Sequence, residues 1–145
     1  MMNTRHNLAI VGLMLSLGAG ACRPENPAAP AKQEGVETIA RTEFTRRIEN
    51  FFEYEPLRAG KPSRFLIHLT DLNDGAPVAQ AEVVLTIRRA EPGQPAGETK
   101  AKVGRVTGIY VAEVVTPIPG DYDIEFRVRN AHLNERMPLT GFRSE

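Results

Sequence analysis

The chain has little of several features that often reveal a function. Its 145 residues include one cysteine and no tryptophan, and lysine plus arginine equal aspartate plus glutamate at 18 each, which gives a formal net charge of zero. A single cysteine excludes an internal disulfide. The balanced charge gives no support for nucleic acid or an anionic membrane surface as the main partner. What is present is an ordinary globular composition, 41% hydrophobic, which fits one domain.

The N-terminal residues predict an export signal. One residue with a permanent positive charge, Arg5, precedes a run from Leu8 to Ala21 that contains no charged residue. About 20 apolar residues are needed to span a bilayer as a helix, so this run is short for a permanent anchor and suits the core of a signal peptide. A buried N-terminal helix is the alternative. We therefore expect residues 1–21 to be a signal peptide.

The lone cysteine follows this run directly. Ala19-Gly20-Ala21 is an A-x-A site for ordinary signal peptidase. With Cys22, the same residues resemble the bacterial lipoprotein box, in which small residues precede a cysteine that is acylated after cleavage between Ala21 and Cys22. The usual box has leucine where this chain has Ala19. Because an unpaired thiol is reactive in an oxidising compartment, we favour a lipid on Cys22 over simple secretion, and we expect no other cofactor.

Residues 22–36 predict a tether between this anchor and a folded domain. Prolines, alanines and polar residues make up most of the segment, which cannot bury enough apolar surface to fold. At ~3.1 Å per residue, an extended chain of this kind would hold a domain roughly 40 Å from the bilayer. Arg23 rather than aspartate follows Cys22, and the resemblance to lipoproteins of diderm bacteria implies the outer membrane rather than the inner one. We expect a periplasm-facing lipoprotein of the cell envelope.

Residues 37–145 alternate between apolar and polar side chains with the period of two that predicts half-buried strands. In GDYDIEFRVRN, one face carries only apolar and aromatic residues: Tyr122, Ile124, Phe126 and Val128. The same pattern recurs in SRFLIHLTDL, AEVVLTIRRA and GIYVAEVVTP, and more weakly in segments 51–57, 98–106 and 136–142. Segment 38–50 fits either an edge strand or one short helix.

These strands and their turn residues predict an all-β fold. About seven short strands separated by Gly, Pro, Asn and Asp clusters favour an immunoglobulin-like antiparallel β-sandwich, with a small barrel as the competing architecture. Tyr122 follows a Pro-Gly turn near the start of a late strand. That position fits the tyrosine corner of such sandwiches as well as it fits an ordinary core residue.

The stretch RTEFTRRIENFFEYEPLRAGKPSRFLIHLTDLNDGAPVAQAEVVLTI resembles a known family. Its elements are the run from Phe52 to Leu57, the turn Gly60-Lys61-Pro62, and the strands from Phe65 to Leu72 and from Pro77 to Leu85. They are similar to the N-terminal immunoglobulin-like, YtkA-like domain of periplasmic adaptor proteins from heavy-metal RND efflux systems. The similarity continues through GIYVAEVVTPIPGDYDIEFRV and covers roughly residues 41–130.

The resemblance implies a role beside an efflux or metal-handling system. An adaptor of that family continues into barrel and helical-hairpin domains, whereas this sequence stops at Glu145. We therefore expect a stand-alone accessory module and not a transporter.

Residues that could carry chemistry are sparse. The candidates for metal binding are His68 and His132, with Met137, Asp71 and Asp74 as further donors. A transition-metal site needs several imidazole or soft ligands that converge, and no close histidine pair or methionine cluster is present, so we expect no metal site. We expect His68 to be a solvated strand residue. The sequence DLNDG lacks the ligand spacing of a calcium loop and predicts a hairpin turn.

Catalytic residues are not apparent either. Ser63 and Ser144 are the serines that follow the signal peptide, and neither lies in a G-x-S-x-G elbow. The alternating acid pairs are Glu53 with Glu55 and Asp121 with Asp123, and this spacing is typical of the solvent-exposed face of a sheet.

We therefore expect a non-enzymatic lipoprotein whose sandwich contacts a protein partner through a sheet face or an edge strand. The alternatives are a periplasmic small-ligand or metal-binding carrier, and a structural module without a specific ligand. The oligomeric state stays open.

Overall fold

The computed structural model of this protein describes residues 37–91 and 94–145. The predicted signal peptide (1–21), its cleavage before Cys22, the lipid on Cys22 and the tether (22–36) lie outside these residues. Within the described ranges, no helix has the length and apolar character needed to cross a membrane.

The described chain is built from β-strands. Nine are present in this part of the molecule: β1 (Ile39–Phe44), β2 (Ile48–Tyr54), β3 (Pro62–Asp71), β4 (Glu82–Arg89), β5 (Pro95–Lys100), β6 (Lys102–Val103), β7 (Ile109–Val115), β8 (Gly120–Arg129) and β9 (Asn134–Ser144). They form a five-stranded sheet in the order β1-β2-β3-β7-β6 and a four-stranded sheet in the order β5-β4-β8-β9. All neighbours within the sheets run antiparallel, which confirms the predicted β-sandwich.

The strand count exceeds the predicted seven for two local reasons. Segment 38–50 forms the edge strand β1 and the start of β2, and no helix. Segment 98–106 was expected to be one strand, but the chain changes sheets at Ala101. That residue is buried, and its N–H donates to the carbonyl oxygen of Val83 at 2.8 Å. Residues before Ala101 therefore extend the four-stranded sheet as β5, and residues after it join the five-stranded sheet as β6.

Aromatic side chains join the two sheets. The rings of Phe52 and Phe126 lie 4.9 Å apart between their centroids, and Phe52 and Phe142 lie 6.3 Å apart. Both contacts cross from the five-stranded to the four-stranded sheet, and all three rings are fully buried. Burying a side chain of this size contributes about 1.5–3 kcal/mol, so this cluster is a main source of the cohesion between the sheets.

Arg41 closes the opening between β1 and β9. Its guanidinium lies 4.8 Å from the centroid of the Phe142 ring and forms an ion pair with Glu43. It also donates to the carbonyl oxygen of Thr140 at 2.9 Å. This one side chain therefore shields the aromatic cluster from water at an edge where β1 and β9 are not paired with each other.

Two buried tyrosines fix loops by their hydroxyl groups. Tyr122 Oη donates to the carbonyl oxygen of Ile118 at 2.7 Å, which makes it a tyrosine corner. Tyr110 Oη donates to the carbonyl oxygen of Val78 at 2.7 Å and accepts from the N–H of Ala81 at 3.1 Å. The second tyrosine thus holds the segment that carries the chain from β3 in one sheet to β4 in the other.

The turn predicted at DLNDG is present. The N–H of Gly75 donates to the carbonyl oxygen of Asp71 at 2.8 Å, and Gly75 has a φ of 72°, a conformation that glycine adopts without strain. Thr70 and Pro77 then form an isolated antiparallel bridge. The chain reverses here as expected, although it continues into the other sheet instead of completing a long hairpin.

Candidate functional site

The outer face of the five-stranded sheet is the candidate functional site. We use this name for the side chains of β2, β3, β7 and β6 that point away from the core: Glu49, Phe51, Glu53, Arg64, Leu66, His68, Lys102, Ile109, Val111 and Glu113. The strict alternation of buried and accessible residues along β2, β3 and β7 identifies them.

Strand register arranges this face in rows that run across the sheet. One row reads Glu53, Leu66, Val111, Lys102, with one residue from each of β2, β3, β7 and β6. It therefore places an acid and a base on either side of two aliphatic residues, both of which are half-buried.

Two further rows flank this one. The first row consists of Phe51, His68 and Ile109. The second row consists of Arg64 and Glu113. The result is an apolar centre with charged residues around it.

A groove of about 570 Å³ lies at the β6 side of the outer face. The groove is lined by Leu66, Ile109 and Val111 of the outer face. Two further valines, Val103 and Val106, also line it, and their side chains are 66% and 61% exposed, respectively. Contiguous exposed aliphatic surface of this kind is a usual mark of an interaction site.

The charges of the outer face differ from those of the opposite sheet. On the four-stranded sheet, Glu82 lies 2.8 Å from Lys100 and 3.0 Å from Arg129, and two more ion pairs cover the same face. None of the charged residues of the outer face takes part in an ion pair with another described residue. The four-stranded sheet therefore carries four ion pairs on its solvent side, whereas none joins the described residues of the outer face.

The resolved pKa shifts lie away from the outer face. The hydrogen bond and charge of Lys100, aided by Arg129, lower the pKa of Glu82 below its ordinary value of 4.5. Burial raises the pKa of Tyr54 above 10.0, and the nearby charge of Arg41 partly opposes this. Both shifts follow from structural contacts, and neither marks a reactive group.

His68 is not the solvated residue that was expected. It is half-buried, its ring packs edge-on against Phe51 with 5.3 Å between centroids, and its Nε2 is enclosed without a hydrogen-bond partner among the described residues. The reason is its place in the row, because Phe51 and Ile109 flank it on the neighbouring strands. The alternation of the sequence shows the side of the sheet but not these neighbours.

The other metal candidates are scattered. His132 lines a separate groove of about 280 Å³ with Asp71 and Asp74, and each carboxylate there already accepts a backbone N–H at 2.9 Å. Met137 is buried in the core, where its sulfur accepts from Nδ2 of Asn50 at 3.7 Å. Across the described ranges, no group of three or more His, Cys, Asp or Glu side chains is arranged to hold a metal ion.

Both serines are buried in structural hydrogen bonds. Ser63 Oγ donates to the carbonyl oxygen of Glu55, and Ser144 Oγ shares a hydrogen bond of 2.7 Å with Thr116 Oγ1. Of the alternating acids, Glu53 lies on the outer face, and Asp121 pairs with Arg143 at 3.2 Å on the opposite sheet. None of these contacts joins a nucleophile to a base.

The fold and this face define an immunoglobulin-like antiparallel β-sandwich with an open, partly apolar sheet face. A family model described as YtkA-like matches residues 47–127, more than half of the chain. The chain therefore belongs to the YtkA-like family, which confirms the resemblance seen in the sequence. No curated protein and no solved structure matches it significantly.

Proposed function

We propose that this chain is a non-enzymatic lipoprotein of the cell envelope whose sandwich binds a protein partner through the outer face. A lipid on Cys22 anchors it, outer membrane rather than inner, and residues 22–36 carry the domain into the periplasm. The observation that supports binding is the outer face itself. It combines half-buried Phe51, Leu66, Ile109 and Val111 with charges that have no ion pair among the described residues.

This arrangement has the anatomy of a protein interface. Interfaces between proteins place apolar and aromatic side chains at the centre and polar ones at the rim. The aliphatic centre gives affinity through burial, while the rim charges set orientation and choice of partner. A small-molecule site would instead be a deep enclosed pocket, whereas the groove beside β6 opens along the sheet.

The family supports the setting of this proposal. The YtkA-like domain resembles the first domain of periplasmic adaptors from heavy-metal RND systems, so we place the protein beside an efflux system of that type. It would act there as an accessory that contacts a component of the assembly and carries out no transport itself.

A photo-crosslinking amino acid at Leu66 in the full chain tests the binding surface in cells. We expect a covalent product with an envelope protein, and we expect Val111→Asp to abolish it. The matched control is Ile118→Asp, which changes an exposed aliphatic residue, 44% accessible, away from the outer face. A product that survives Val111→Asp, or no product at all, would refute the proposal. In parallel, Cys22→Ala should release the chain from the membrane fraction.

A small-ligand or metal carrier is the second candidate. One observation favours it, namely that His132, Asp71 and Asp74 line the same groove. Titration of the purified chain with copper, zinc and nickel tests it, with His132→Ala and His68→Ala as variants. Stoichiometric micromolar binding that either variant removes would establish this function in place of the first.

A further inference from the structure

We infer that the outer face binds a second copy of this chain, related to the first by a two-fold axis that runs parallel to the strands between β3 and β7. The inference rests on the proposed function in one respect, that the outer face is a binding surface. It adds a second copy of this chain as an occupant of that face, besides the efflux component proposed above, and the geometry of the complex.

The row Glu53, Leu66, Val111, Lys102 carries the argument. Rotation about that axis turns the row end for end and lays it on the same row of the first copy. Glu53 of each copy then faces Lys102 of the other, and Leu66 faces Val111. The two ends of the row have opposite charges and the two middle positions are both aliphatic, so the row is complementary to itself.

The two neighbouring rows agree with the same axis. Arg64 and Glu113 are register partners on β3 and β7, so the rotation places each opposite the other residue in the second copy. In the third row, His68 faces Ile109, and Phe51 faces Gly104. Gly104 lies beside Ile109, where its N–H donates to the Ile109 carbonyl oxygen at 2.7 Å, and it has no side chain to obstruct an aromatic ring.

The charges disfavour a two-fold axis perpendicular to the strands and centred on the first row. An axis perpendicular to the strands and centred on the first row would keep every strand over itself. Glu53 would then face Glu53, and Lys102 would face Lys102. Like charges directly opposite each other are destabilising, so the pattern favours the axis parallel to the strands over this perpendicular one.

The selected axis also suits two chains anchored in one membrane. A rotation about an axis parallel to the strands preserves strand direction, so residue 37, where the described domain begins, lies at the same end in both copies. Both copies can then be anchored to one surface through the residues that precede residue 37. The perpendicular axis would place residue 37 at opposite ends of the pair.

The size of the face predicts a weak complex. Four strands at ~4.8 Å spacing and six residues at ~3.3 Å give a surface of roughly 380 Å² per copy, below the ~800 Å² that a stable interface buries on each side. Confinement to a membrane raises the effective concentration of such modules. We therefore expect the pair to form mainly when the chain is held at a membrane surface.

Zero-length carbodiimide crosslinking of the full chain, reconstituted in phosphatidylethanolamine–phosphatidylglycerol vesicles, tests the geometry. Equal amounts of unlabelled and ¹⁵N-labelled chain are mixed, and Glu53–Lys102 crosslinked peptides are analysed by mass spectrometry. In one chain these residues are three strand spacings apart, about 14 Å, which is too far for a direct amide. We expect peptides in which each half comes from a different isotopic form.

Charge exchange tests the pairing without disturbing the core. Glu53→Lys alone and Lys102→Glu alone should each reduce dimer yield at least tenfold, measured with a homobifunctional amine crosslinker that reaches other lysines. The double variant E53K/K102E should restore it. Arg88→Glu, on the opposite sheet, is the matched control and should leave the yield unchanged. A yield insensitive to the single reversals would overturn the inference.

The outcomes separate this inference from the proposed function. If Leu66 crosslinks a different envelope protein and no mixed-isotope peptide forms, the outer face binds a protein but not its own copy, and only the inference fails. If neither product forms, both fail.

Discussion

The substitution Tyr110→Phe removes only one hydroxyl group, but it should destabilise the domain more than the small size of that group suggests. Tyr110 is 1% exposed, and its Oη is the hydrogen-bond partner of two backbone groups, the carbonyl oxygen of Val78 and the N–H of Ala81. Both of those residues are buried as well. Phenylalanine fills the same space but satisfies neither group.

The magnitude follows from the unpartnered groups. A buried donor or acceptor that loses its partner costs about 1–3 kcal/mol, so two of them predict a loss of about 2–6 kcal/mol in the free energy of unfolding. Tyr122→Phe is the matched control, because its hydroxyl bonds one carbonyl, that of Ile118, in a residue that is 44% exposed. Water can replace that bond, so we expect about 1 kcal/mol for the control.

Urea denaturation of the two variants measures this difference, and thermal melts provide a check at about 4 °C per kcal/mol for a domain of this size. If Tyr110→Phe and Tyr122→Phe lost the same free energy within about 0.5 kcal/mol, the reasoning would be refuted. The segment from β3 to β4 would then not depend on the two bonds to Tyr110.

Three further predictions concern the core, a turn and a surface ion pair. Asn50→Leu should raise the free energy of unfolding by about 1–2 kcal/mol in urea, because Asn50 is fully buried and its Oδ1 has no partner among the described residues; a clear loss would contradict this. Gly108→Ala should lower the free energy of unfolding by at least about 2 kcal/mol in the same assay, because Gly108 has a φ of 81° and a Cβ there would lie 2.6 Å from Pro77 Cβ. Gly97→Ala is the control and should cost much less, because the space around Gly97 is open. Glu82→Gln should destabilise the domain at pH 7, because a lowered folded-state pKa gives stability that is present above the unfolded-state pKa. That stability is lost as the pH falls through the folded-state pKa, so the effect of the substitution should shrink as the pH is lowered below the ordinary value of 4.5. An effect that did not change with pH would exclude the ion pair as the cause.

The strands in which apolar and polar residues alternate without interruption were predictable, because the alternation directly reflects which side chains are buried. The inward positions expected on β3, β4, β7 and β8 are all buried, including Tyr110 and Val114 on β7. Segment 38–50 was ambiguous because the buried side of β2 includes the polar Asn50, which breaks the apolar alternation. The break at Ala101 had no visible signal, since alanine is compatible with either side of a sheet.

The candidate site was accessible to sequence reasoning only in outline. A sheet face was expected to bind a partner, but the row of Glu53, Leu66, Val111 and Lys102 draws one residue from each of four separate segments. Only the register of three strand pairs brings these residues together. Periodicity shows which side of its own strand a residue occupies and contains no information about which residue lies beside it.

Because β1 is an edge strand and the first element of the described domain, it receives any mechanical load applied through the N-terminus. Its pairing runs from Ile39 opposite Tyr54 to Phe44 opposite Glu49, so a pull at its first residue opens the hydrogen bonds one pair at a time. Arg41 would leave with the strand and uncover Phe142. Tension applied at the N-terminal end of the described domain would therefore unzip this strand first, and the remaining strands would hold until greater force was applied.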